Sequence, residues 1–131
     1  MNQFDLLDED QLANKVIGVA LAVHSQLGPG LLENAYKKVL AFKLEKEGFE
    51  IEVEKEMPLI MDEIQVSVGY RIDILVQKKL VLELKSVENI NDLHMAQTIN
   101  YLKLGKFKLG LLINFNVKSL RFGIKRVINT K

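Results

Sequence analysis

The chain has 131 residues, with 18 basic and 17 acidic side chains and neither cysteine nor tryptophan. That length predicts a single domain over residues 1–131 with a core of its own. The missing cysteines exclude disulfides, zinc–thiolate sites and thiol nucleophiles, and no apolar run approaches the roughly 20 residues of a membrane span, so no membrane is expected as a partner. The start MNQFDLLDEDQ is acidic and unlike a signal peptide, which makes the reducing cytoplasm the expected setting. Charge is spread unevenly. All 17 acids fall within residues 1–100, whereas residues 101–131 hold eight bases (Lys103, Lys106, Lys108, Lys118, Arg121, Lys125, Arg126 and Lys131) and no acid. Such a segment either grips phosphates beside an acidic site or forms a solvated basic edge.

Asp8-Glu9-Asp10 supplies capping and first-turn acids for a helix predicted from about Gln11 to Leu27. Leu12, Val16, Val19, Ala20 and Val23 recur at helical spacing and should face the core. His24 falls in the last turn, where a capping histidine is the simplest reading. Gly28-Pro29-Gly30 breaks the helix sharply. A second helix then runs from Leu31 to about Glu47 and stops at Gly48, with Leu32, Ala35, Tyr36, Val39 and Leu40 as its expected core stripe. Glu33 sits in its first turn, where an acid helps any helix. Phe49 to Ile60 alternates as a strand, and Glu50, Glu52, Glu54 and Glu56 mark its outer face as a charged edge with no assigned chemistry.

Gly69 to Val87 reads as two strands joined by a short lysine turn. Val66, Val68, Tyr70, Ile72, Ile74 and Val76 alternate along the first, and Leu80, Leu82 and Leu84 along the second. Keeping both rows on one core face pairs Ile74 with Leu82 and Ile72 with Leu84, and leaves Gln77-Lys78-Lys79 as the turn. The same register puts Asp73 opposite Glu83 and Arg71 opposite Lys85, on the face away from Leu82. Two facing carboxylates repel and are costly to bury, so something positive is expected between them.

After Val87, a polar stretch with an N-cap candidate leads to a helix from about Leu93 to Leu104, ending at Gly105. His94, Gln97 and Tyr101 fall at i, i+3 and i+7 and share one face of it. Phe107 to Phe115 is an apolar strand buried on both faces, and Ser119 to Ile128 a last, basic strand. The order α–α–β–β–β–α–β–β is that of the α/β class, a mixed sheet flanked by helices, with a βαβ crossover from the Glu83 strand to the Phe107 strand.

An Asp on one strand followed by Glu-x-Lys on the next, here Asp73 and Glu83-Leu84-Lys85, resembles the PD-(D/E)xK nuclease superfamily, although Ile72 stands where its proline usually precedes the Asp. The resemblance implies a restriction-endonuclease-like αβββαβ core with an extra N-terminal helix. Gly30-Leu31-Leu32-Glu33-Asn34-Ala35-Tyr36 spells the Gly-x-x-Glu-x-x-Tyr signature of the GxxExxY proteins, which Val23-His24-Ser25-Gln26-Leu27-Gly28-Pro29 and Gly69-Tyr70-Arg71-Ile72-Asp73 also resemble. This likeness extends over about residues 10 to 128.

What the resemblance implies is a metal site made of Asp73, Glu83, the Leu84 carbonyl and Glu33, hard oxygen donors suited to Mg²⁺ or Mn²⁺. Lys85 would orient or deprotonate the attacking water, and Gln97 and Tyr101, similar to a Gln-x-x-x-Tyr helix motif that lines such sites, would hold substrate or water. His24 matches a family position of unclear role. The leading expectation is therefore a divalent-metal-dependent nuclease acting on DNA rather than RNA, its basic tail gripping phosphates. A homodimer is compatible with this, since nucleases that cut both strands often dimerise. The alternatives are a catalytically silent module that binds nucleic acid or protein, and a structural network in which Asp73 pairs with Arg71 or Lys85.

Overall fold

A computed structural model describes residues 2–130, so Lys131 of the basic tail lies outside the described residues. Helix α1 (Glu9–Leu27) starts on a capping box, the Asp8 carboxylate accepting from the Gln11 N–H while the Gln11 side chain accepts from the Asp8 N–H. Then follow α2 (Glu33–Lys46), β1 (Ile51–Met61), β2 (Ile64–Val76), β3 (Leu80–Lys85), α3 (Asp92–Gly105), β4 (Leu109–Asn114), a 3-10 turn (Leu120–Phe122) and β5 (Ile124–Ile128). The five strands lie in sequence order in one sheet; β3 and β4 pair in parallel and the other neighbours antiparallel. This is the expected mixed α/β architecture. The last element differs: only Ile124–Ile128 is strand, because Ser119–Gly123 first closes a tight 3-10 turn. Among the described residues no helix is long and apolar enough to cross a membrane.

Two cores lie on the two faces of the sheet. Helices α1 and α2 cover one, packing Leu12, Val16, Tyr36, Leu40 and Leu44 against Ile74, Leu82, Leu84 and Ile113. Helix α3 covers the other, with Leu102 against Tyr70, Ile72, Val81 and Leu112. The buried stripe of α2 is Tyr36, Lys37, Leu40, Ala41 and Leu44. The expected Leu32 and Ala35 are exposed, because the helix starts at Glu33 and its inward face is turned to include Lys37.

The β2–β3 hairpin forms in the expected register, with Ile74 opposite Leu82 and Val76 opposite Leu80 around the Gln77-Lys78-Lys79 turn. Gln77 and Lys78 take the positive φ values (51° and 57°) that such a short connection requires. Beyond Ile74 the reading fails in an informative way. Ile72 packs under α3 whereas Ile74 packs under α1 and α2, so the apolar row changes face between them. Strand β1 turns at the same level: the pairs are Val53–Ile74 and Lys55–Ile72, and Glu54 between them has φ 51°. Farther out, β1 and β2 run on as an arm that leaves Ile60, Met61, Ile64, Val66 and Val68 exposed, so Val66 and Val68 do not join the core row.

Candidate active site

The switch of face at Ile72–Ile74 leaves Asp73 where β2 and β3 stop pairing, and side chains replace the missing ladder bonds. The Asp73 N–H donates to Glu83 Oε2 at 3.0 Å, and the Leu84 N–H donates to Asp73 Oδ2 at 2.8 Å. Each carboxylate is thus held by the backbone of the opposite strand. Asp73 and Glu83 do come together, though not as the simple opposed pair on the face away from Leu82. The other Asp73 oxygen, Oδ1, meets the ammonium of Lys37 at 3.5 Å, on the helix layer that also covers Leu82. Within an extended strand one residue's N–H and C=O project to the same edge, so the Leu84 carbonyl faces the same gap as its N–H.

Glu83 is 4% exposed. Its pKa is pushed up to about 8, first by burial and then by the charge of Asp73, with the Asp73 N–H and Lys85 partly opposing. Glu33, the first residue of α2, is also raised, by burial and then by Asp73, while Lys85, Lys37 and His94 pull it down. These couplings place Glu33 and Lys85 in the electrostatic field of the carboxylates. The Tyr101 hydroxyl is raised by burial and then by Glu83 and Asp73, a hydrogen bond from Gln97 offsetting part of the rise. Tyr101 also stacks on Tyr70, with ring centroids 4.8 Å apart. Among the expected residues, then, Asp73, Glu83, Leu84 and Lys85 sit at the fork, Glu33 approaches from α2, and Gln97 and Tyr101 from α3. The cleft of about 470 Å³ between α1 and α2, lined by Phe4, Lys15, Val19 and Phe49 among others, shares none of these residues.

Other expectations are corrected. Arg71 does not face Lys85; it pairs across the exposed β1–β2 ribbon with Glu56 at 3.1 Å and Glu54 at 3.6 Å. Nor does Asp73 pair with Arg71, since its ion-pair partner is Lys37. His24 is buried and does not cap its own helix: Nε2 lies 3.1 Å from the Phe115 carbonyl and 2.8 Å from that of Val117, tying α1 to the loop after β4. His94 closes the N-terminus of α3, its Nδ1 accepting from the Asn91 N–H. Within the basic segment, Lys103, Lys106 and Lys108 line one cleft, Lys125 lines another, and Arg126 is bound to Asp10 and Asn14.

Lys37 and Glu54 are the residues that sequence reading missed. Lys37 links Asp73 to Glu54 at 3.5 and 3.9 Å and is almost fully buried. A signal existed. Lys37 is four residues after Glu33 and so shares its helix face; if Glu33 approaches the site, so must Lys37. The Gly-x-x-Glu-x-x-Tyr run has a mechanical role here as well. The Tyr36 hydroxyl donates to the Gly28 carbonyl (2.5 Å) and accepts from the Leu31 N–H (3.1 Å), while its ring stacks on Phe115 at 4.5 Å. Tyr36 thereby pins the turn from which Glu33 enters.

An Asp and a Glu-x-Lys meeting where two strands of a mixed sheet part, inside an αβββαβ core, define a restriction-endonuclease-like domain. The family model of the PD-(D/E)XK nuclease superfamily matches residues 10–127, and the chain belongs to that superfamily. No curated protein and no solved structure matches it.

The fold family implies a divalent cation, and the donor set can be tested for one. Among the described residues no three acid or histidine side chains converge closely enough to hold a metal unaided. Mg²⁺ rarely uses an all-protein cage; one or two carboxylates with water and substrate phosphate are usual. Two adjacent carboxylates, one held towards its neutral form by burial and by the charge of the other, fit that pattern.

Proposed function

We propose that this protein is a divalent-metal-dependent nuclease that hydrolyses phosphodiester bonds in DNA. The observation that carries the reading is the crossed pair of bonds joining Asp73 and Glu83 to opposite strands, which fixes two hard-oxygen groups side by side next to Lys85. Asp73, Glu83 and the Leu84 carbonyl would hold Mg²⁺ or Mn²⁺, and Glu33 would contribute through water. A bound cation neutralises phosphate charge, activates water and assists the leaving oxygen. Lys85, its backbone fixed by the Phe115 N–H at 2.9 Å, would orient the attacking water. Tyr101 and Gln97 present donors from α3 to substrate oxygens. We also assign the chain to the GxxExxY group, supported by the way Tyr36 braces the turn that delivers Glu33.

The test is cleavage of plasmid and linear DNA with and without Mg²⁺ or Mn²⁺. Wild type should cut only with metal, and Asp73→Ala and Lys85→Ala should each abolish cutting. Activity surviving both substitutions would sink the assignment.

One observation favours a second reading, a module that binds without turnover: Lys37 already neutralises Asp73. Calorimetry with Mg²⁺ and Mn²⁺ separates the two. No metal binding at millimolar concentration, with DNA bound regardless, selects the module.

A further inference from the structure

The turn after β4 carries an aromatic side chain on a rigid mount. Phe122 is 73% exposed, although both of its flanks are fixed. Leu120 is buried in the α1–α2 core, and the Gly123 carbonyl accepts from the Asn114 N–H at 2.8 Å. Gly123 has no room for a side chain, since a Cβ there would run into the Asn114 carbonyl oxygen. The ring is therefore presented by a braced turn rather than by a loose loop. The Arg121 guanidinium lies over it, 4.7 Å from the centroid. Lys125 lines the same hollow of about 210 Å³ beside Phe122, with Glu88, Asn89, Ile90 and Asn114 among the other lining residues. Lys118, Arg121 and Lys125 are exposed, and among the described residues none makes an ion pair, whereas Lys37, Lys55, Arg71 and Arg126 do.

This turn lies at the same end of the sheet as the carboxylates. Lys85 of β3 is in register with Asn114 of β4, which bonds to Gly123 at the mouth of β5. Two strand spacings separate the Lys85 and Gly123 backbones, about 10 Å. Asn114 also bonds both backbone groups of Val87, locking the two loops together.

We propose that Arg121 and Phe122 form a stacking platform for an unpaired nucleotide, with Lys118 and Lys125 on the adjacent phosphates, so that the site takes a single-stranded segment or overhang. This deepens the nuclease reading and rests on it for the identity of the ligand. A flat, exposed ring carrying a guanidinium, flanked by unpaired cations, is the chemistry that binds single strands: the ring takes a base face and the cations take the backbone. Bases inside a duplex are already stacked and offer no free face.

The chain has no tryptophan, so Phe122→Trp introduces a single reporter. In EDTA, without turnover, a fluorescence titration with an oligothymidylate should quench the introduced indole strongly and saturably, whereas an equal length of duplex should quench it little. Phe122→Ala, read by anisotropy of a labelled strand, should weaken single-strand binding about tenfold and leave duplex binding within twofold. Arg121→Ala with Lys125→Ala should flatten the salt dependence. Unchanged single-strand affinity in Phe122→Ala, or equal quenching by duplex, overturns the platform. A protein partner covering Phe122 would show as the absence of any quenching by nucleic acid, which also overturns it. Because binding is read without metal, absence of cleavage in the activity assay counts against the nuclease reading alone.

Discussion

Lys37 places its ammonium 3.5 Å from Oδ1 of Asp73 while the other oxygen of that carboxylate accepts the Leu84 N–H at 2.8 Å. The acid at the fork is thus engaged on both oxygens from two layers of the fold, one a helix and one a strand. A resident cation beside a metal-binding carboxylate stabilises the site when no metal is bound and repels the metal that would bind. Lys37→Met keeps the aliphatic stem and removes the charge. In urea denaturation without metal it should lose about 1–3 kcal/mol, because Asp73 keeps only one of its two partners. In calorimetry it should bind Mn²⁺ more tightly than wild type. Weaker binding would show that Lys37 supports the cation site instead of competing with it.

Glu83 gives a pH signature with a definite sign. Its pKa is raised from 4.5 to about 8 by burial and by Asp73. The native state therefore keeps a proton that the unfolded chain has already lost, and stability falls as pH rises from about 4.5 to about 8. Above about 8 the carboxylate is charged in both states and the full penalty stays. Glu83→Gln is neutral throughout and keeps an oxygen for the Asp73 N–H. Its melting temperature without metal should be near that of wild type at pH 5 and above it at pH 9. Saturating Mn²⁺ should reverse the order at pH 9, because only wild type gains binding free energy. A constant difference across pH would remove Glu83 as the titrating group.

The hairpin was readable because period-2 alternation and a three-residue turn leave one register that buries both apolar rows, and Ile74–Leu82 is that register. Alternation carries no information on where a ladder ends. Ile72 and Ile74 look equivalent in the sequence, yet they pack under different helices, and the side-chain bonds of Asp73 and Glu83 take over where strand pairing stops. Lys37 was hidden for a different reason. Hydrophobic periodicity assigns a lysine to solvent by default, and only a partner distant in sequence, here Asp73, makes its burial tolerable. The resemblance supplied Glu33, Gln97 and Tyr101, whose spacing alone reads as ordinary helix surface.

Tyr36→Phe tests whether the signature tyrosine is mechanical. The ring and its stacking on Phe115 remain, while the hydroxyl bridge between the Gly28 carbonyl and the Leu31 N–H is lost. Two hydrogen bonds of ordinary strength set the loss at about 1–2 kcal/mol. Loosening the turn should also blur the entry of Glu33, so metal-dependent cleavage should fall several-fold while the affinity for single-stranded DNA in EDTA stays unchanged. Full activity at reduced stability would separate the brace from the site.

His24→Ala tests the opposite assignment, a residue of the signature region with no part in the chemistry. His24 Nε2 faces the carbonyls of Phe115 and Val117, and two acceptors at one nitrogen require that nitrogen to carry the hydrogen. Removing the ring leaves both carbonyls short of a donor in a buried place and opens space beside Phe115, for a loss of about 2–4 kcal/mol. The loop after β4 is the element released, so hydrogen exchange should rise first at residues 115–119. Assayed well below its lowered melting temperature, the variant should retain metal binding and cleavage within about twofold of wild type. A loss of cleavage out of proportion to the loss of folded protein would move His24 into the active site.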